Sequence, residues 1–199
     1  MMAPWLLTLA VYSGLSTNIV LHLGLGAREA ALSGDCQVGN MTAGFFRMTA
    51  FTVSVVFLWF AIRLADSVVP LGFLEYLLVF PLSLLVSRLW DLLFESRFPL
   101  LKRDSGPVPS DGTPLGAAVF ATLLVADRFV EAIVLSLGFA LGMTLAFAVV
   151  AQIKRRAGIE PVPAGLRGAP ITLVAMGILS LVFHSAALAF LSALGGAAG

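Results

Sequence analysis

The chain has 199 residues, of which 59% are apolar and only 12% are charged, and its net charge is +1. Soluble domains carry about 25% charged residues, so this composition argues against a soluble globule and favours a polytopic α-helical membrane protein. The small net charge gives no electrostatic basis for binding nucleic acid. The single cysteine, Cys36, excludes an internal disulfide and any metal site built from several cysteines of this chain.

Six apolar runs follow one another along the chain: Ala3–Gly26, Ala43–Ala65, Val68–Phe94, Leu115–Ala126, Phe129–Ala151 and Ala169–Leu194. The first run lacks the basic start and the small-residue cleavage site of a signal peptide, so we expect it to be a retained span. Five runs reach the length of about 20 residues that a spanning helix needs.

The fourth run is too short to cross the hydrocarbon. A helix of about 12 residues is about 18 Å long, whereas the hydrocarbon is about 30 Å thick. This run is therefore predicted to be a half-helix or re-entrant segment, or to join the fifth run through a break at Asp127 and Arg128. A distorted helix that begins outside the hydrocarbon near Pro114 is an equally good interpretation.

A polar segment, 95–113, separates a first half (1–94) from a second half (114–199) of the single membrane domain. Three crossings in each half would give the halves opposite orientations, which is the plan of an inverted repeat. The loops after runs one, three and five carry most of the basic residues outside the runs: Arg28, Arg97, Lys102, Arg103, Lys154, Arg155, Arg156 and Arg167. The positive-inside rule places these loops in the cytoplasm and both termini on the opposite side of the membrane.

Several tracts carry a resemblance to a known family. The stretch Gly138–Phe183 contains a Gly-Phe start, a basic helix end at Gln152–Arg156 and the tract VPAGLRGAPITLVAMGILSL. Asn18 with the following Leu-Gly-Leu, and Pro114-Leu115, add shorter matches. Together these tracts closely resemble one family of membrane proteins, to which the A subunit of the Rnf electron-transport complex and the E subunit of the sodium-pumping NADH:quinone oxidoreductase, Nqr, both belong.

The resemblance implies six membrane segments in two inverted halves, with runs one and four broken. Each broken run of the family contributes a cysteine to an iron–sulfur cluster shared with a homologous sister subunit. Here the corresponding positions are Gly26 and Phe120, neither of which can ligate iron. Cys36 lies ten residues beyond Gly26 in a polar stretch and replaces neither ligand. We therefore predict no cofactor in this chain, and an iron–sulfur cluster and flavins in its partner subunits.

Ionisable residues inside apolar runs are candidates for an ion or proton path, and this chain offers Glu75, Asp91, Asp127 and Glu131. Interfacial anchoring is the alternative, with Arg88 pairing with Asp91 one turn away. A short hairpin facing outside would likewise explain the group around Asp127. Candidates for helix packing or an interface are His22, Gly24, Gly138, Gly142 and Arg167.

On this resemblance, the chain is expected to be a membrane subunit of a redox-driven ion-translocating electron-transport complex in the inner membrane of a prokaryotic cell. It would be a non-catalytic structural or ion-path subunit beside a sister subunit, other complex subunits and lipid. Two alternatives stay open. A self-contained inverted-repeat transporter would form a homo-oligomer with polar groups converging between runs one and four. A purely structural scaffold would show no ion effect when Asp127 or Glu131 is neutralised.

Overall fold

The computed structural model describes residues 2–19, 21, 41–68, 70, 72–97, 112–159 and 169–196. Helix α1 (Met2–Val11) continues into a π-helical segment (Tyr12–Ser16), and five further helices follow: α2 (Met41–Val68), α3 (Leu74–Arg97), α4 (Thr113–Val125), α5 (Phe129–Ile159) and α6 (Ala169–Gly196). The prediction of an all-α chain is confirmed for these residues.

Three of the described helices are long and apolar enough to cross a membrane, over Met48–Val68, Phe129–Ile153 and Pro170–Ala193. The stretches Trp5–Ser16 and Thr113–Val125 are shorter apolar helices. Many large apolar side chains lie on the outside; Phe57 is 62% exposed and Leu181 is 74% exposed. Such a surface suits lipid, because lipid tails are as apolar as the side chains. The protein is a multi-pass α-helical membrane protein.

The joint between the second and third runs differs from the sequence-based boundaries. Helix α2 continues to Val68, which the hydropathy pattern assigns to the following run, and α3 begins only at Leu74. Pro70 explains the end of α2, because proline disfavours helical geometry in the residue before it. Gly72 has φ 52°, a left-handed conformation that suits glycine and turns the chain into α3.

Helices α2 and α5 form the centre of the molecule and pack against each other. Helix α1 with its π-helical segment packs on α5 and α6, whereas α4 packs on α2 and α3. Helices α2 and α3 are also in contact, as are α5 and α6. The pattern of helix contacts is nearly symmetric. If α1 is exchanged with α4, α2 with α5 and α3 with α6, each pair of helices in contact becomes a pair that is also in contact. The exception is the pair α4 and α5, which follow each other in the sequence.

Two apolar clusters fill the interior. The larger lies where α4 meets α2 and α5, around Val55, Val119 and Leu135, which are all fully buried. The smaller joins the segment after the first helix break to α5 and α6 through Leu21, Met143 and other residues. The larger cluster also includes Leu9 of α1, so it joins both short apolar helices.

Candidate functional site: two short helices and their ends

The first short helix is interrupted at Thr17 and Asn18. The π-helical turn ends where both the backbone N–H and the hydroxyl of Thr17 donate to the Tyr12 carbonyl, at 2.8 and 3.0 Å. Thr17 has φ −106° and ψ 38°, which is outside helical geometry. The break that the resemblance implies for run one is thus present in the described part of that run.

A single amide satisfies the backbone on both sides of this break. Asn18 is 1% exposed. Its Nδ2 donates to the carbonyls of Gly14, at 3.2 Å, and of Gly142 in α5, at 2.7 Å. Its Oδ1 accepts the N–H of Leu21 three residues later, at 3.3 Å, as a helix N-cap does. The interruption is therefore neutral, internally hydrogen-bonded and attached to the central helix.

Two glycines of α5 allow this close approach. A Cβ atom on Gly142 would overlap the carbonyl group of Gly14. A Cβ atom on Gly138 would overlap the Ser13 hydroxyl and lie 2.8 Å from the Ala10 carbonyl oxygen. Residues four apart share one face of a helix, so the two glycines form one smooth strip against which the broken segment rests.

The second short helix, α4, begins part of the way along α3. Gly112 precedes it with φ 56°, and a Cβ atom there would lie 3.0 Å from the Ser87 hydroxyl. Ser87 is ten residues before the end of α3 at Arg97, which is about 15 Å at the helical rise. Gly116 then faces Ser83, where a Cβ would lie 2.9 Å from the hydroxyl. Helix α4 therefore runs antiparallel to α3 and covers only part of its length.

Phe120, at one of the two positions that the resemblance assigns to family cysteines, lies on an outer face of α4. Its ring is 37% exposed. It packs edge-on against the ring of Tyr76 in α3, with centroids 5.4 Å apart. The other position, Gly26, lies outside the described residues, as do His22, Gly24, Cys36 and Arg167.

A charged residue from another helix reaches the C-terminal end of α4. The chain leaves α4 at Ala126, which is extended with φ −91° and ψ 116°. Arg63 of α2 donates through Nη2 to the carbonyl oxygens of Leu123, at 3.2 Å, and Ala126, at 3.4 Å. Sequence reasoning did not select Arg63 as a site residue. The available signal was its place as the sole charged residue between Phe51 and Ala65.

The acidic group after α4 lies in the turn to α5. Oε2 of Glu131 accepts the backbone N–H groups of Asp127, at 3.1 Å, and Arg128, at 3.3 Å. This carboxylate caps the first turn of α5, where it also faces the positive end of the helix dipole. The side chains of Asp127 and Arg128 are exposed. The chain thus has a break after run four, and it is a short turn between α4 and α5.

The remaining candidates are placed separately. Glu75 is half-buried in the first turn of α3, next to Tyr76. Arg88 is exposed, and the side chain of Asp91 lies outside what the structure describes. Within the described part of the chain, no three His, Cys, Asp or Glu side chains form a group that could hold a metal ion.

Comparisons with known proteins give consistent relatives. No family model matches the chain. The E subunit of the Na(+)-translocating NADH-quinone reductase of Saccharophagus degradans is 30% identical over 145 residues, 67% of this chain and 72% of the relative. Its counterpart from Hahella chejuensis is 28% identical over 190 residues, 93% and 89% of the two chains. The A subunit of the ion-translocating oxidoreductase complex of Buchnera aphidicola is 27% identical over 137 residues, 66% and 69%.

Proposed function

We propose that this chain is a membrane subunit of a redox-driven ion-translocating oxidoreductase complex. The chain belongs to the family that contains the A subunit of the Rnf complex and the E subunit of the Na(+)-translocating NADH-quinone reductase. The observation that carries this proposal is the similarity to one of these reductase subunits over 93% of the chain. A match of that extent includes both halves and both short helices, so it is not confined to one shared hairpin.

The chain itself holds no iron–sulfur cluster in this proposal. Such a cluster needs several thiolate ligands, and the only thiol of the chain is Cys36. At Phe120 an aromatic ring in edge contact with Tyr76 stands where the resemblance places a cysteine. The phenyl ring of Phe120 offers no thiolate to a cluster. The cluster and the flavins would reside in partner subunits.

Two features support two inverted halves of three segments each. First, the helices of the first half contact one another and the other half in nearly the same pattern as those of the second half, with α1, α2 and α3 corresponding to α4, α5 and α6. In addition, Asn18 at the first break and Gly112 before α4 each lie eight positions before a residue that the resemblance aligns with a family cysteine, Gly26 and Phe120. We infer that the chain pairs with a sister subunit of similar plan. Both termini would lie outside the bacterial inner membrane.

A supporting role fits the described polar groups better than a substrate site does. Asn18 is hydrogen-bonded to α5, whereas the polar contact at the end of α4 comes from α2. A self-contained transporter would bring the polar groups of the two short helices together, and these two groups are bonded to different helices. Glu131 is engaged as a cap, so Glu75 is the better remaining candidate for a proton or ion path.

Purification of the chain in its native assembly tests this proposal. We expect a tagged chain to purify from membranes with other membrane subunits and with iron and flavin. The iron content per complex should be unchanged in a Cys36→Ser variant, measured by metal analysis and electron paramagnetic resonance. A chain that purifies alone as a stable homo-oligomer would support the transporter instead. A lower iron content in Cys36→Ser would contradict the absence of a ligand in this chain.

A further inference from the structure

The C-terminal end of α4 carries a partial negative charge. The last carbonyl groups of any helix have no partner inside the helix, and the helix dipole adds to their negative charge. Where a short helix ends within or near a membrane, such carbonyls are known to coordinate cations. In this chain the end of α4 lies beside Arg63, which is within the candidate span Met48–Val68.

The Arg63 guanidinium is placed as a bound cation would be. One nitrogen, Nη2, lies between two carbonyl oxygens, 3.2 Å from that of Leu123 and 3.4 Å from that of Ala126. A guanidinium carries a positive charge in proteins, as a bound monovalent cation does. We propose that Arg63 is a tethered cation that occupies the end of α4 and closes it to mobile monovalent cations.

The surroundings of Arg63 support a role beyond a surface charge. The side chain is half-buried, and its Nε is fully buried with no hydrogen-bond partner among the described residues. Burying a charged group with an unpaired donor is unfavourable, so the position is held by the attraction to the carbonyls. Glu131, in the turn after α4, accepts two backbone N–H groups. Among the described residues, the hydrogen bonds of the guanidinium go to the carbonyl oxygens of Leu123 and Ala126.

This inference goes beyond the proposed function, because it concerns only where ions do not pass. With the end of α4 closed by a fixed charge, cations would have to cross the assembly elsewhere. A simple C-cap makes a different prediction. A cap would stabilise α4 through hydrogen bonds alone, and its loss would not be compensated by a particular inorganic cation.

The test compares the effects of cations on variants of the full chain in its purified assembly. Arg63→Ala removes both the charge and the donors, Arg63→Gln removes the charge but keeps an amide donor, and Arg63→Lys keeps the charge. Arg88→Ala is the matched control, since Arg88 is an exposed arginine on α3. Each sample is heated in choline chloride, sodium chloride or lithium chloride at one ionic strength. After heating, we measure the fraction of the tagged chain that still elutes from a size-exclusion column at the volume of the native assembly.

We expect Arg63→Ala and Arg63→Gln to lose several degrees in Tm in choline chloride. Sodium or lithium should restore much of that loss in a saturable way, while the wild type, Arg63→Lys and Arg88→Ala show no cation-specific shift. Assembly of Arg63→Ala only when sodium is present would count as the same result. The proposal is overturned if neither uncharged variant responds to the small cations more than the wild type does, or if Arg63→Lys responds as they do.

Discussion

The two short apolar helices of this protein both end in non-helical backbone, at Thr17 and at Ala126, but different chemistry stabilises the two ends. At the first break, a neutral amide of the segment itself satisfies the backbone, and Asn18 is almost completely buried. At the end of α4, a charged side chain from another helix does so, and Arg63 is only half-buried. A neutral hydrogen-bonded break can be enclosed among helices at little desolvation cost, whereas a charge is tolerated best near the edge.

Packing distinguishes the two short helices as well. The first break rests on the Gly138–Gly142 strip of α5, backbone against backbone. Helix α4 instead meets α3 mainly through side chains, since Gly112 faces Leu84 and Ser87, and Gly116 faces Ser83 and Phe80. Side chains can shift and a backbone carbonyl cannot easily do so. The first break should therefore be the more sensitive to added volume.

The largest effect is expected for Gly142→Ala. Its methyl group would overlap the Gly14 carbonyl, and relief requires the broken segment to move away from α5. Overpacking of this kind costs about 3 kcal/mol, and the Asn18 hydrogen bond to Gly142 would be lengthened. Thermal unfolding of the tagged chain in detergent measures the change. Gly177→Ala is the control, because nothing lies within 4 Å of a Cβ atom there; equal stability of the two variants would refute the close contact.

Asn18→Leu should have the next largest effect. Leucine keeps the branching of asparagine, although it is bulkier, and it leaves the carbonyls of Gly14 and Gly142 and the N–H of Leu21 without these partners. Buried unpaired polar groups cost about 1–3 kcal/mol, so we expect a loss of about 2 kcal/mol in stability. Thr17→Val serves for comparison, since the Thr17 hydroxyl bond is exposed and the backbone N–H keeps the same acceptor. A Leu variant no weaker than the Val variant would show that Asn18 does not hold the break.

Glu131→Gln should have the smallest effect. The side-chain oxygen of glutamine can still accept the N–H groups of Asp127 and Arg128, so only the attraction between charge and helix dipole is lost. That term is about 0.3–1 kcal/mol. Ion translocation by the assembled complex, followed with a sodium- or proton-sensitive dye in vesicles, should stay near the wild-type rate. A strong loss of translocation with normal stability would make Glu131 an ion carrier and not a cap.

Sequence reasoning succeeded where the signal is local. The length of the fourth run predicted a short helix, and α4 has 13 residues followed by a non-helical Ala126. The boundary of α3 was misplaced, because hydropathy continues across Pro70 and Gly72 while backbone geometry does not. The contact of Arg63 with Leu123 joins residues 60 apart in the chain. Such a contact leaves no periodic trace in either run.

The amino-acid sequence by itself determined the class of this protein, its family and its single cysteine, because composition, length of apolar runs and residue identity are properties of the chain alone. Only the tertiary structure decided that Asn18 joins the first break to Gly142, 124 residues away, and that Arg63 occupies the end of α4. The physical reason lies in the solvent. In lipid both faces of a helix are apolar, so hydropathy does not reveal which face meets a neighbour, and the few polar side chains find their partners only when the helices pack.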